Sequence, residues 1–517
     1  MIRRRIDPSS ESGVAMLVVL MALVAGTMLS VAALNAAGQD LPFARESQDR
    51  KQAYAAAEAG LEYYLFQLSQ DNDYWTRCTN VPAPSPTEAS PVNQRWSGTG
   101  PDPRVWRNVS EVKSKYTLEL IPATGTSCVS GSASSTMLNR GTGTFRVRST
   151  GRANTETRSV VATLRRTSFL DFIYFTDLET SDPATYATES DRTWAASNCN
   201  RLRGGRHDNC REIQFASGDA IKGPFHTNDD ILLCGNTTFG RQGQDPPDSV
   251  EVSGPGGWQP AGSCSASPRI NGTWRHPTDS LTMPQSNAAL QAAAQPGYLY
   301  TGRTTIRLRG NVMDVTTGSP AVTQTGVPLP ANGVIYVRNG ACSGTLTPML
   351  QRYDDPAGCA TVNVSGTYNQ SLTIGSANDI VVNGDLRRSG DVVMGLIANN
   401  FVRVAHPVSR SNLNDADTCT NATGTMQNVT IEAAILSLAH SFIVDNHACG
   451  ANLGTLRVFG AIAQKFRGPV GTTAPTGYMK DYEYDDRLRY RSPPFFLDPV
   501  AASWKVARVN EQVPATG

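Results

Sequence analysis

Histidine is scarce in this chain, six in 517 residues, and charge is thin: Asp, Glu, Lys and Arg make up 18%. The charges also balance, 46 basic against 45 acidic, which leaves no basic excess of the kind that holds nucleic acid. No Gly-x-Ser-x-Gly elbow, Gly-rich phosphate loop or His-Glu-x-x-His occurs. That removes the common local signatures of serine hydrolases, nucleotide enzymes and zinc proteases. Cys-x-x-Cys is missing as well, and with it the spacing of zinc and redox sites. What the chain has instead is Gly, 45 of them, and Pro, 31, the composition of a body rich in loops and strands. Its length predicts two or three folded units.

Ten cysteines fall in couples close in sequence. The simplest pairing is Cys78–Cys128, Cys199–Cys210, Cys234–Cys264, Cys342–Cys359 and Cys419–Cys449, although spacing alone does not fix connectivity. Disulfides of this kind form outside the cytoplasm.

One long apolar stretch stands at the N-terminus. Residues 13–39 carry no charge and 14–37 are almost wholly apolar. As a helix rising about 1.5 Å per residue the latter spans roughly 36 Å, enough to cross a bilayer. Arg3, Arg4 and Arg5 precede it, so the positive-inside rule puts the N-terminus in the cytoplasm and the body outside. A cleaved secretory signal and a plain signal anchor are competing readings. Beyond the span Ala53, Ala57, Gly60, Leu61, Tyr64, Leu65 and Leu68 recur at helical spacing, a small-residue stripe suited to packing against other helices. Pro42 is expected to kink or locally melt this helix, which should end near residues 71–73.

Glu11-Ser12-Gly13-Val14-Ala15-Met16-Leu17 and Gln52-Ala53-Tyr54-Ala55-Ala56-Ala57-Glu58-Ala59-Gly60-Leu61 together resemble the N-terminal region of PilX-type minor pilins. They are also similar to the minor pseudopilins of type II secretion. The resemblance covers about residues 9–70. It implies cleavage by prepilin peptidase after Gly13, leaving Val14 first, and partners among other pilins or pseudopilins. Major pilins of this kind carry Glu at the fifth mature position, where this chain has Val18. The departure favours a minor, initiating or tip subunit, since Glu in lipid is costly unless paired.

Alternating residues at 116–120, 145–149 and 160–164 predict three antiparallel strands, the last two joined by a turn around 151–155. From about residue 215 a pattern of apolar, any, apolar, any, Gly, any, apolar recurs, as at 306–312, 362–368, 380–386 and 456–462. Several members lie about 20 residues apart, a period typical of solenoids. The Gly would permit a corner before the next strand. The expected fold is α+β: a transmembrane pilin-like helix, a small antiparallel sheet, then a large all-β domain, read as a parallel β-helix with a β-sandwich as alternative. The expected division is a leader at 1–13, the helix at 14–70, a β unit at 71–168 and an extracellular domain at 169–517. Blocks at 379–404, 433–445, 460–471 and 482–497 also resemble C-terminal regions of uncharacterised pilus-operon proteins.

The one enzyme-like constellation is His226, Asn228, Asp229 and Asp230 with Asp219 nearby, but its spacing matches no metal or acid–base motif. Asp354-Asp355 and Asp485-Asp486 are pairs that could ligate calcium, without the spaced series an EF-hand needs. Trp and Tyr scattered through 258–300 could contact sugars, though scattered aromatics are ordinary. The reading is therefore a non-catalytic pilus or pseudopilus component, single-pass in the inner or cytoplasmic membrane, with no cofactor, no metal and no nucleic acid. The alternatives are an anchored polysaccharide-active enzyme and an adhesive surface module.

Overall fold

A computed structural model describes residues 12–78, 92–93, 104–109, 113–125, 128–129, 133–139, 143–342, 357–410, 419–472, 476–500 and 503–512. Two compact units emerge. The first is Met1–Leu138, Phe145–Leu164 and Val506–Gly517; the second is Asn139–Thr144 and Arg165–Lys505.

The first unit is built on one helix, Ser12–Gln70, which we call α1. It ends beside the expected stop at residues 71–73. It does not melt at Pro42: helix continues through that position. The last third of α1 lies on a five-stranded sheet in the order Arg107–Asn108, Ser114–Ile121, Thr144–Ala153, Glu156–Arg166 and Trp504–Gln512. Ala53, Ala57, Leu61, Tyr64 and Leu68 are buried on its helical side, with Tyr116, Leu118, Phe145, Val147 and Val160 on the strands. This is the 3- and 4-residue stripe of the sequence meeting the 2-residue alternation of the strands.

Contact between the two is backbone-close. A Cβ on Gly151 would sit 1.9 Å from the Ala53 carbonyl oxygen and 2.5 Å from the Ala57 nitrogen. Gly151 is thus inside strand Thr144–Ala153, paired with Tyr116, not in the expected turn. The turn is made by Asn154 and Thr155, with Asn154 in the left-handed region at φ 49°, which Asn tolerates well.

A second correction concerns the C-terminus. The chain was expected to stay in the large domain from 169 to 517, yet residues 506–512 return as the edge strand of the first unit's sheet. Arg148 Nε donates to Gln512 Oε1 at 2.9 Å and Arg158 Nη1 meets Glu511 Oε1 at 3.3 Å. The large unit is an insertion between two neighbouring strands of the small one.

That large unit is mostly β, with one extended, curled sheet. Parallel pairing dominates it. One ladder runs Leu299–Thr301, Val334–Arg338, Leu372–Ser376, Met394–Ala398, Ala434–Ser437, 461–467, Tyr174–Ser181, Phe225–Thr227, Ser249–Val252, Thr273–Arg275. A second runs from Thr304–Gly310 through Val362–Tyr368, Ile380–Arg388, Thr430–Ile431, 455–460, Gly477–Tyr484, Ala220–Lys222 and Thr238–Phe239 to Arg269–Ile270. Both ladders share one order, and it is not chain order. The chain enters in the middle at Tyr174 and advances to 275. It resumes at the opposite end with Leu299 and works back to pair 462–467 with 174–181.

In the middle of the first ladder, from Val334–Arg338 to Phe225–Thr227, both faces are largely buried. Ile335, Ile374, Leu396, Ile435, Ile462 and Tyr174 stack in register inside. On the other face Tyr336, Ile397, Leu436, Ala463 and Phe175 are covered by Leu281, Met283 and Leu290. Strands buried on both sides read as unbroken apolar runs instead of alternating ones. The recurrent Gly serves close approach more than corners: a Cβ on Gly460 would meet the Ala433 carbonyl oxygen at 2.0 Å, and one on Gly366, at φ +113°, the Leu308 oxygen at 2.1 Å.

Gly151→Ala should therefore force α1 off its sheet and cost about 3 kcal/mol or more of first-unit stability, at the upper end for overpacking. Gly204→Ala, where nothing lies within 4 Å, should change little. Denaturant titration of both variants in detergent checks this, and equal midpoints would contradict the close contact.

Candidate functional site: a bare helix and enclosed polar clusters

Among the described residues the first third of α1 stands uncovered. Val14–Ala32, nineteen residues, is long and apolar enough to cross a membrane and is wholly exposed. Leu17, Leu20, Met21, Leu23, Met28 and Leu29 all stand open. Fully burying one such side chain is worth about 1.5–3 kcal/mol, so this surface calls for lipid or other apolar helices around it. Gly13 and Val14 lie at the start of α1. Of the expected leader at 1–13, residues 1–11 lie outside the described residues.

All ten cysteines are paired, as Cys78–Cys128, Cys199–Cys210, Cys234–Cys264, Cys342–Cys359 and Cys419–Cys449. Each joins the nearest couple in sequence. The first, eight residues past the end of α1, closes a loop within the small unit, and the other four close loops of the large unit. Five disulfides are the mark of an oxidising compartment.

The His226 group is enclosed. The His226 ring is buried, its Nδ1 3.1 Å from Glu251 Oε2 and its Nε2 3.2 Å from Asn228 Oδ1, with the Phe175 ring stacked on it. Burial pushes the Glu251 carboxyl up, but the hydrogen bond and charge of His226, with Ser249 and Arg275, outweigh it and hold Glu251 below the usual range. Asp229 accepts from the backbone of Glu179, Arg203 and Asp230 at 3.0, 2.7 and 2.9 Å, and from the Arg206 guanidinium. Asp230 accepts from Gly256 N at 2.8 Å. Those carboxylates spend their lone pairs tying the 183–212 excursion and the 254–257 turn to the stack, which leaves little to offer a substrate.

Asp219 belongs elsewhere, accepting from Ala216 N at 3.0 Å and pairing with Lys480 Nζ at 3.3 Å. Arginines occupy the Asp485-Asp486 pair: Arg487 Nε lies 2.9 Å from Asp485 and Arg241 Nη1 2.6 Å from Asp486. Asp354 and Asp355 lie outside the described residues. Among the described residues no group of three or more His, Cys, Asp or Glu could hold a metal. Of the aromatics at 258–300, Trp258 is exposed while Trp274, Tyr298 and Tyr300 pack against the core. The crevices beside Tyr368 and Asp498 hold about 10 and 40 Å³, room for about one water each.

No family model matches the chain, and no curated protein matches it. Among solved structures, the crystal structure of the competence-associated pilin ComZ from Thermus thermophilus aligns with 90% of this chain and 97% of that one, at 14% identity and a TM-score of 0.26. Similarity that loose carries no argument about fold or function.

The sequence did not reveal the edge strand at 506–512 or the close approach of Gly151 to Ala53 and Ala57. A glycine inside an alternating stretch was the available signal for the second.

One histidine of the large unit carries a pH dependence. Burial, then the nearby His406, pushes His447 down from 6.5 to about 4. Between those values the unfolded chain binds a proton there and the folded chain does not, so stability falls as pH drops through that window. His447→Gln should flatten the large unit's stability between pH 6.5 and 4. Unfolding titrations across that range check it, and an unchanged slope would rule His447 out as the source.

Proposed function

We propose that this chain is a minor pilin-like, non-catalytic component of a type IV pilus or pseudopilus, displaying a β-rich head. The single observation that carries the reading is α1 itself. It is one unbroken helix, bare and apolar in its first third and packed on its own sheet through Ala53, Ala57 and Gly60 in its last. A helix of that design holds a body outside the membrane and offers its uncovered part to sister helices. Arg3–Arg5 ahead of the span support an N-terminus in the cytoplasm.

The enclosed His226 and aspartate clusters support assembly as the role, not catalysis. The head reads as a parallel β-helix: two parallel ladders share one strand order, and partner strands such as Leu372 and Met394 are in register coil upon coil. Prepilin peptidase would cut between Gly13 and Val14, and Val18 at the fifth mature position suits a minor or initiating subunit.

N-terminal sequencing of the protein from native membranes tests this. Val14 as first residue is the expected result, and Gly13→Leu should leave the leader attached and deplete the chain from filaments. A mature terminus at Met1, or one beginning past residue 33, would overturn the reading.

A further inference from the structure

The parallel stack closes where its two chain segments meet, and charge collects at that closure. Along the first ladder, strands Leu372–Ser376, Met394–Ala398 and Ala434–Ser437 carry no charged residue, and Val334–Arg338 carries one at its last position. Along these strands themselves each rung buries similar side chains, and among the described residues the buried ionic link between their coils is the single Arg403, which pairs with Asp379 and Asp445.

The next junction differs. Residues 461–467 bring Lys465 and Arg467, and Tyr174–Ser181 brings Asp177 and Glu179. Lys465 pairs with Asp177, and Arg467 Nη1 meets Glu179 Oε2 at 3.0 Å with both side chains buried. Arg467 also lies 3.5 Å over the Phe215 ring and donates to the Gln214 carbonyl at 3.1 Å.

The second ladder repeats the arrangement at the same junction. Lys480 meets Asp219 at 3.3 Å and Lys222 meets Asp481 at 2.6 Å. Flanking it, His440 Nδ1 lies 3.0 Å from the buried Asp182, and Arg489 Nη2 3.1 Å from the buried Asp248. Among the described residues seven ion pairs join the two segments here, Arg241 with Asp486 included, and in five of them the acid comes from the segment that opens the stack and the cation from the segment that ends it.

We propose that this junction is a charge-coded joint: an acidic edge at 174–252 recognised by a basic edge at 440–489, which sets the register in which the stack closes and is where it opens first. The apolar strands between 334 and 437 supply adhesion, and beside them one buried cation, Arg403, bridges neighbouring coils, against seven ion pairs at the joint. Mispairing by one coil would set Arg467 and Glu179 in the core without partners, and breaking a buried pair is far costlier than losing an exposed one.

Hydrogen exchange on the full chain in detergent tests this, comparing peptides over 174–181 and 461–467 with peptides over 372–376 and 394–398. Asp177→Lys with Asp219→Lys should speed exchange at the joint by at least about tenfold and leave the apolar rungs within about twofold. Adding Lys465→Asp and Lys480→Asp should restore protection. Equal acceleration in both sets, no acceleration, or failure of the compensating pair to restore protection would each overturn the proposal. If the reversed variant does not fold, the unaltered chain is compared in about 0.1 and 1 M NaCl, where the screening length falls from about 10 to 3 Å. Selective loosening of the joint supports the coding, and no difference between joint and rungs overturns it.

Discussion

An apolar helical surface that its own chain leaves uncovered governs how the rest of this molecule is built. Among the described residues nothing covers Val14–Ala32, and exposing a set of such side chains to water costs on the order of tens of kcal/mol. Further along, the same helix is covered by the chain's own sheet. The continuation of α1 is sunk into a sheet through Ala53, Ala57 and Gly60, with Leu61, Tyr64 and Leu68 buried beside them. Past its end, a disulfide ties Cys78 to Cys128.

The large unit meets a different constraint. A stack of parallel strands must end somewhere, and each end leaves a row of unpaired backbone groups. Here the chain starts in the middle and closes on itself there, so both segment termini are paired within the sheet. Thr167 N donates to the Ser503 carbonyl at 2.9 Å, so the connections into and out of the insertion run side by side. An insertion with adjacent ends can join two neighbouring strands of a small sheet without distorting it. The stack's outer apolar face is closed by Leu281, Met283 and Leu290, which lie in the stretch between residues 275 and 299 that links one end of the ladder order to the other.

Local features were legible in the sequence and long-range ones were not. The span, the stripe from Ala53 to Leu68, the alternation at 116–120 and 145–149, and the five disulfide couples all rest on residues near one another in the chain. Position 151 was misplaced in a turn because a glycine in a strand carries no local mark of the helix pressed on it. Return of residues 506–512 to the first sheet joins strands more than 300 positions apart, and no period or spacing reports that. The ladder order escaped for a similar reason. The recurring seven-residue pattern marks rungs but not which rung follows which, and runs such as 394–398 hide their facing because both faces are buried. The His226 cluster looked chemical because polar side chains that bind substrates and those that bind turns are the same residue types; only the partners separate them.

Extraction of native membranes with alkaline carbonate, which strips peripheral proteins and leaves integral ones, tests the central claim most directly. The full-length body should remain in the membrane pellet and leave it only in detergent, with residues 14–32 still attached. Release of an intact body into the carbonate supernatant, without that segment, would contradict the account.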